Sequence, residues 1–324
     1  MHTTSSRLIF LAAGASVLML VAASCSKTSA DGESSTAGNG EYVMAIDPTV
    51  DGEVKAAAGT KAKLITDVAL LREAGFGLSF YNGTTAIKEN QTMTYSGSAW
   101  THEGDPWKWP GNTVYTFCAW SPSDLTGITT TGGSFSSFTY TGIADQKDIM
   151  LGYYKGVGSP DGTNCKAPVK FSHALASVQF QVGTMTGLSQ INRIKISGVR
   201  PQGTCTVTTA TLPSYNWSSI TGTAVELSQT KEVSTFTSGT AIGDPFLVLP
   251  QPLNTDNITV TLNVTPTSGS AKDITLTVGS GTLTPGKTTI YKINYDGITA
   301  SFTVSVTGWT ANDGGTVTVD EKQS

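Results

Sequence analysis

The stretch Phe171-Ser-His-Ala-Leu-Ala-Ser-Val-Gln-Phe-Gln-Val182 changes its pattern of apolar residues halfway along. In its second half apolar and polar residues alternate, and this period of two indicates a strand with one buried face. The apolar positions of that half are Val178, Phe180 and Val182. In the first half the large residues have the other phase, at Phe171, His173 and Leu175. A strand changes its buried face at a bulge, at a twist or where it covers a second surface, so we expect this strand to serve two packing surfaces.

The composition favours an extracellular all-β protein. The chain has 324 residues, a length that suggests about two domains. Charged residues make up 14% of the chain and aromatic residues 8%, and 35 residues are glycine, which is typical of β-rich proteins with many short turns. The net charge is -4. Because nucleic-acid binding requires a basic face, we expect no nucleic-acid partner.

The N-terminus has the pattern of a targeting segment. Arg7 precedes an apolar run that ends at Ser24, and this arrangement predicts a secretory signal peptide over residues 1–24. The alternative, a membrane-spanning helix, is disfavoured because the run is about 16 residues long and a span needs roughly 20. Ala22-Ala-Ser-Cys25 is similar to a lipobox and predicts a lipid on Cys25, although an ordinary signal peptide with an incidental cysteine fits the same residues. Residues 25–40 are rich in Ser, Thr and Gly and predict a flexible tether.

Short apolar runs separated by turn residues continue through the rest of the chain. They predict many strands, with turns about every 10–15 residues in the second half, a spacing that favours β-sandwiches. Residues 64–73 are the single helix candidate, ended by Gly75. The loop 156–167 is rich in Gly, Pro and Asp and is a candidate boundary. We therefore expect one β-sandwich domain over residues 41–166 and a second over residues 167–324.

No pattern of residues predicts catalysis. The three histidines are far apart, and neither an H-E-x-x-H nor a G-x-S-x-G motif occurs, so we expect no enzyme, no metal site and no cofactor. Glu103 and Asp105 have the chemistry of a glycosidase pair, but a surface turn is the favoured interpretation.

Four tryptophans within twenty-one residues allow two interpretations. Either they pack beneath a core strand, or their rings form a platform for sugars, which would make the protein a surface glycan-binding lipoprotein. The four residues are Trp100, Trp107, Trp109 and Trp120.

Several motifs, in a shared order over residues 59–309, resemble the fimbrillin family, the subunits of type V pili of Gram-negative anaerobes. The lipobox and the Gly59-Thr-Lys-Ala62 loop come first. The later motifs are Glu73-Ala-Gly-Phe-Gly-Leu78, Trp107-Lys-Trp-Pro110, Tyr115-Thr-Phe-Cys-Ala-Trp-Ser-Pro122, Asp148-Ile-Met150, Phe171-Ser-His-Ala-Leu-Ala-Ser-Val178, Leu249-Pro-Gln-Pro-Leu253 and Trp309.

The resemblance implies two tandem transthyretin-like β-sandwich domains and a mode of assembly. In this family a lipoprotein precursor reaches the outer-membrane surface, where a trypsin-like protease removes its N-terminal strand. A strand from the next subunit then fills the emptied groove by donor-strand exchange. Main-chain hydrogen bonds along an open sheet edge, with alternate side chains in pockets, make such a contact long and stable.

Transferred to this chain, the resemblance assigns roles to individual residues. Tyr42, Met44 and Ile46 would be the inward side chains of the plug strand. The cut would fall between Lys61 and Ala62, with Lys55 as the alternative, whereas the family often has Arg at this position. Val317 and Val319 would belong to the donor strand.

The implied partners are other pilus subunits, the outer membrane through the lipid on Cys25, the maturation protease, and host or bacterial surface ligands. Stalk, tip and anchor roles all remain open. In this interpretation His173 is a polar group held at the junction of the two domains.

Overall fold

The computed structural model describes residues 41–51, 64–110, 112–157, 165–253, 258–279 and 281–308, together with the backbone of residues 320–323. Within these residues the protein is all-β, with sandwich-type sheets and one short α-helix, which confirms the predicted fold class. The predicted signal peptide and tether lie outside them. Among the described residues, no helix has the length and apolar character that a membrane crossing requires.

The first part of the described chain contains the helix, one short 3-10 turn at Ile143–Asp145 and fourteen strands. These are β1 (Glu41–Val43), β2 (Ala45–Ile46), β3 (Thr49–Val50), α1 (Val68–Ala74), β4 (Phe76–Asn82), β5 (Thr85–Ser96), β6 (Ala99–Thr101), β7 (Lys108–Pro110), β8 (Val114–Ser121), β9 (Thr130–Thr131), β10 (Ser134–Phe135), β11 (Phe138–Tyr140), β12 (Met150–Val157), β13 (Lys166–Ala167) and β14 (Lys170–His173).

The remaining strands follow without a further helix among the described residues. They are β15 (Ala176–Met185), β16 (Leu188–Val199), β17 (Gln202–Thr208), β18 (Ser214–Thr221), β19 (Val225–Val233), β20 (Phe246–Val248), β21 (Thr259–Pro266), β22 (Lys272–Thr277), β23 (Lys287–Tyr295), β24 (Ala300–Gly308) and β25 (Asp320–Gln323).

The helix begins later than the sequence pattern predicts. Asp67 is extended, and its side chain accepts a hydrogen bond of 2.9 Å from the backbone of Leu70, so it caps the first turn. Leu71 is buried, and Gly75, with a φ of 65°, ends the helix. Leu64 and Ile65 precede the cap and are buried outside the helix. Apolar spacing alone therefore overestimated the helix at its start, since the cap defines where it begins.

The first sandwich is built on a seven-stranded sheet in the order β3-β14-β12-β8-β4-β5-β6. One face carries the core that includes Phe76, Phe80 and Phe171, and the N-terminal strands and the strand β7 contribute to it. The opposite face carries Cys118, Trp120 and Leu151, which pack with residues of the three-stranded sheet β11-β17-β18. Because both faces are covered, the central strand β8 is buried at seven of its eight positions.

Gly77 in β4 permits the closest approach within this sheet. A Cβ atom there would collide with the indole ring of Trp120 on the neighbouring strand. We expect Gly77→Ala to destabilise the protein by about 1–3 kcal/mol, the usual range for overpacking a core. Urea unfolding measures the change. Thr92→Ala, at the exposed position directly opposite on β5, is the matched control and should stay within about 0.5 kcal/mol of the parent. Equal destabilisation by Gly77→Ala and Thr92→Ala would contradict the close approach of Gly77 to Trp120.

The second sandwich consists of two facing sheets. The five-stranded sheet has the order β20-β15-β23-β24-β25, and the four-stranded sheet has the order β19-β16-β21-β22. Both contribute to one apolar core, with Val178, Phe180 and Val182 from β15 and Ile194 and Ile196 from β16. The alternation of apolar residues in the sequence thus identifies the buried face of β15 correctly.

The stretch 171–182 is two strands that belong to two sheets. β14 pairs with β12 in the first sandwich, and β15 pairs with β20 and β23 in the second. Phe171 is buried in the first core, whereas Ala174 and Leu175, between the strands, join a small apolar cluster with Ile149 and Leu247. The change of phase therefore marks a passage from one sheet to the other, since a single strand would need a bulge to achieve it.

Hydrogen-bonded pairing crosses the expected boundary between residues 166 and 167. β14 belongs to the first sheet, and β17 pairs with β11, with Cys205 opposite Phe138. The hairpin β17–β18 follows β16 of the second sandwich in the chain, but it packs on a face of the first sandwich. The division into residues 41–166 and 167–324 stays a prediction.

Candidate functional site

The candidate site is the N-terminal segment, residues 41–51, with the recess that holds it, which we call the edge groove. Alternate side chains of the segment are buried, as expected for a strand with one face toward a core. They are Tyr42, Met44, Ile46, Pro48 and Val50. The positions between them are half-buried or exposed. The segment therefore fills the groove at every second residue.

Main-chain hydrogen bonds seat the segment along its length. β1 pairs antiparallel with β7, and the backbone N–H of Met44 donates to the carbonyl of Trp107 at 2.8 Å. Further along, the segment runs parallel to β13 and β14. The N–H groups of Ala45, Asp47, Thr49 and Asp51 donate to the carbonyls of Cys165, Ala167, Val169 and Phe171 at 2.8–3.0 Å. The edge groove is thus bounded by β7, β13 and β14.

The floor of the edge groove is apolar. Met44, Ile46 and Val50 belong to the same buried cluster as Trp107, Trp109 and Phe171. Ala167 and Val169, which flank the groove, are fully buried. Removing the segment would therefore expose unpaired backbone groups and apolar side chains together, a combination that attracts another strand.

Two ion pairs lie along the outer side of the segment. Asp47 Oδ2 is 3.5 Å from Lys166 Nζ, and Asp51 Oδ1 is 2.8 Å from Lys170 Nζ. All four side chains are more than 40% exposed, so each pair stabilises by at most about 1 kcal/mol. The hydrogen bonds and the buried side chains, rather than these charges, hold the segment.

The structure places some of the predicted site residues and not others. Tyr42, Met44 and Ile46 are each 8% exposed, and their role as a plug stays a prediction. Cys25, Lys61, Ala62, Val317 and Val319 lie outside the described residues. The backbone of β25, just beyond the predicted donor strand, pairs antiparallel with β24.

The tryptophan cluster is mostly core. Trp107, Trp109 and Trp120 are 7%, 1% and 5% exposed, and Trp109 Nε1 donates to the carbonyl of Thr113 at 2.8 Å. Only Trp100 of the four is half-buried. His102 stacks on Trp107 with ring centroids 3.8 Å apart and covers the ring. This arrangement favours core packing over a sugar platform, since a platform requires open ring faces.

A group of buried polar residues lies at the junction of the two sandwiches. Asp148, 2% exposed, accepts hydrogen bonds from the backbone N–H of Ile65 at 2.9 Å and from His173 Nδ1 at 3.0 Å. Gln146 is buried nearby, with a φ of 51°. Its amide donates to the carbonyls of Ile143 and Leu247 and accepts from the N–H of Leu247. The sequence pattern indicated His173 but gave no signal for Gln146, because a single Gln in a loop has no periodicity.

The described residues include no group of three or more His, Cys, Asp or Glu side chains placed to hold a metal ion. Glu103 and Asp105 are exposed, as a surface turn requires. The chemistry that the arrangement offers is strand binding at a sheet edge.

Comparison with known proteins identifies a family and similar folds. The model of the fimbrillin-like family matches residues 66–309. A solved structure from Bacteroides uniformis, described as a cell adhesion protein, is 19% identical, with a TM-score of 0.52 over 83% of this chain and 99% of the other. A second such protein, from Bacteroides ovatus, is 14% identical, with a TM-score of 0.55 over 84% and 99% of the two chains. These likenesses concern the fold. No protein with a curated description matches the sequence. Because the family model covers about three quarters of the sequence, the chain belongs to the fimbrillin-like family.

Proposed function

We propose that the protein is a structural or accessory subunit of a cell-surface type V pilus, exported as a lipoprotein and assembled by donor-strand exchange. The observation that carries the proposal is the N-terminal segment, which occupies the edge groove through main-chain hydrogen bonds and alternate buried side chains. Membership of the fimbrillin-like family supports a role in a fimbrium at the cell surface. A non-enzymatic role in adhesion fits both the occupied edge groove and the family membership.

The proposed route of assembly follows from the order of residues. The lipid on Cys25 would hold the precursor on the outer membrane, and a trypsin-like protease would cut between Lys61 and Ala62. Because the cut lies beyond Asp51, it would free the whole segment and vacate the edge groove. A strand of the next subunit that contains Val317 and Val319 would then take its place. A subunit that remains uncut would serve as an anchor, and one that cannot donate a strand would serve as a tip.

Limited trypsin digestion of the full-length precursor tests the proposal. We expect the cut chain to start at Ala62 by N-terminal sequencing and to form polymers in electron micrographs. Lys55 and Lys63 also lie beyond Asp51, so the triple variant Lys55→Gln/Lys61→Gln/Lys63→Gln should stay uncut here and monomeric. Lys55→Gln alone should behave as the parent. Polymers whose chains still begin at Cys25, or cut chains that stay monomeric, would contradict assembly by strand exchange.

A further inference from the structure

Four large apolar side chains are exposed among the described residues. Ile87, Val114 and Val157 are 41%, 45% and 45% exposed, and Ile298 is 90% exposed. Single exposed apolar residues are common on protein surfaces. These four differ because the fold places them at the ends of two sheets, three on the first sandwich and one on the second.

Three of the four lie at one end of the seven-stranded sheet. Val114 is the first residue of β8 and Val157 the last of β12, and the two are direct cross-strand neighbours, which we call the rim pair. Ile87 is near the start of β5, just after the turn that follows Asn82. Asn82 is in turn paired with Tyr115, next to Val114.

This end points away from the second sandwich. β17 leaves β16 at the junction and runs along the first sandwich to Thr208. Beyond it, Thr209 Oγ1 accepts from the backbone of Phe135, whose strand β10 pairs with β9. Thr130 of β9 is 2.6 Å from the hydroxyl of Tyr81, near the end of β4. The path from the junction therefore leads toward the rim pair.

Ile298 lies at the end of the second sandwich that is farthest from the junction. β15 begins at the junction with Ala176 and ends at Met185, which pairs with Tyr295 at the end of β23. The turn that joins β23 to β24 follows at once and comprises residues 296–299, here called the distal turn. The rim pair and the distal turn thus lie at the ends of the first and second sandwiches that are farthest from the junction.

The distal turn is held rigidly by hydrogen bonds. Asp296 Oδ1 accepts from the backbone N–H groups of Ile298 and Thr299 at 2.8 and 2.6 Å, and Oδ2 accepts from the Thr299 hydroxyl at 2.7 Å. The bond from the Thr299 backbone is the main reason that the pKa of Asp296 is lowered to about 2. The turn therefore presents an apolar side chain beside a fixed negative charge, with little conformational freedom left to lose on binding.

We propose that the distal turn of one copy docks on the rim pair of the next copy, so that Ile298 packs against Val114 and Val157. The contact rests on the proposed function, because it requires copies that assemble in a row. Lys155, exposed two residues before Val157, would face Asp296, two residues before Ile298, so the charges of the two surfaces are complementary. A contact between different surfaces of identical chains propagates in a line when its rotation does not close a ring.

A second copy is the occupant that the positions favour. Apolar and charged groups of complementary kind occur at the two ends of the same chain, as end-to-end stacking requires. β1 also starts at the rim end, where Glu41 is opposite Pro110. Removal of the N-terminal segment would therefore also remove β1 from the rim end.

Cross-linking between two variants tests the contact in the full-length protein. Ile298→Cys in one preparation is mixed with Val157→Cys in another, cut with the protease, assembled and treated with a short bismaleimide. Cys118 and Cys205 are buried, burial raises the pKa of both thiols to about 12, and Cys165 is 2% exposed, so the introduced thiols react before these three cysteines. We expect 298–157 cross-links by peptide mapping. Ser228→Cys, exposed halfway along β19, replaces Ile298→Cys as the control and should not cross-link.

The outcomes separate this contact from the proposed function. Polymers without 298–157 cross-links would overturn the contact and leave donor-strand exchange standing, whereas failure to polymerise at all would overturn both. Ile298→Ser gives a second measurement, since the monomer should melt like the parent while elongation slows by about tenfold from loss of the apolar contact. Elongation of Ile298→Ser at the parent rate would also overturn the contact.

Discussion

A chain that lacks residues 41–51 is expected to lose the fold of its first sandwich at ambient temperature. The deletion removes five backbone hydrogen bonds of 2.8–3.0 Å to residues 107 and 165–171 and uncovers the apolar floor of the edge groove. Main-chain groups that are buried without a partner, and apolar side chains left in water, are both costly. We expect the loss to exceed about 5 kcal/mol, the lower end of the stability of a typical domain.

Hydrogen exchange and calorimetry measure this effect, and a peptide provides the control. A synthetic peptide of residues 41–51, added to the shortened chain, should restore protection of the amides in β14 and raise the melting temperature. The same peptide with Asp in place of Met44 and Ile46 should not, since a carboxylate cannot occupy an apolar pocket without a partner. A shortened chain that melts within a few degrees of the parent would show that the groove needs no strand.

Asp148→Ala is expected to have the second largest effect. The carboxylate is buried where three segments meet: the residues before α1 through Ile65, the loop before β12, and the end of β14 through His173. Removing one partner of a buried, hydrogen-bonded pair costs about 3–5 kcal/mol because the other partner remains in the interior. Urea unfolding should therefore show a large decrease in stability.

The matched control is Asp124→Ala. Asp124 accepts from Lys147 at 2.6 Å, but its side chain is 64% exposed, so its removal should cost at most about 1 kcal/mol. His173→Ala should share much of the effect of Asp148→Ala and loosen the junction of the two sandwiches, as read by protease sensitivity. Unchanged melting and protease resistance in His173→Ala would refute a structural role for this pair, and so would equal losses from Asp124→Ala and Asp148→Ala.

Local pattern was sufficient for much of the fold. The alternation at Val178, Phe180 and Val182 identifies a buried strand face correctly, because side chains of a strand alternate whatever its partners are. The resemblance to the fimbrillin family, rather than alternation, assigned Tyr42, Met44 and Ile46 to the inward side, since Val43 and Ala45 are apolar too. The three side chains are buried. The shared order of motifs predicts the family, which the family model confirms over residues 66–309.

The sequence pattern did not predict strand pairing between residues that are far apart in the chain. The hairpin β17–β18 was missed, because its many Thr and Ser residues alternate weakly and its partner strand β11 is more than sixty residues earlier in the chain. The burial of Gln146 was missed for a related reason. Its amide is paired with Leu247, 101 residues away, and nothing near Gln146 in the sequence indicates that contact.

The stretch 171–182 separates what the sequence determines from what the tertiary structure adds. The sequence by itself determined that the apolar phase changes after Leu175, because side-chain alternation is a local property of a strand. Only the tertiary structure decided what the change means, since β14 and β15 find their partners in different sheets. Likewise, the apolar run Tyr42 to Ile46 indicates a short strand, whereas the edge groove, and with it the choice of buried face, exists only where β7, β13 and β14 meet in the folded chain.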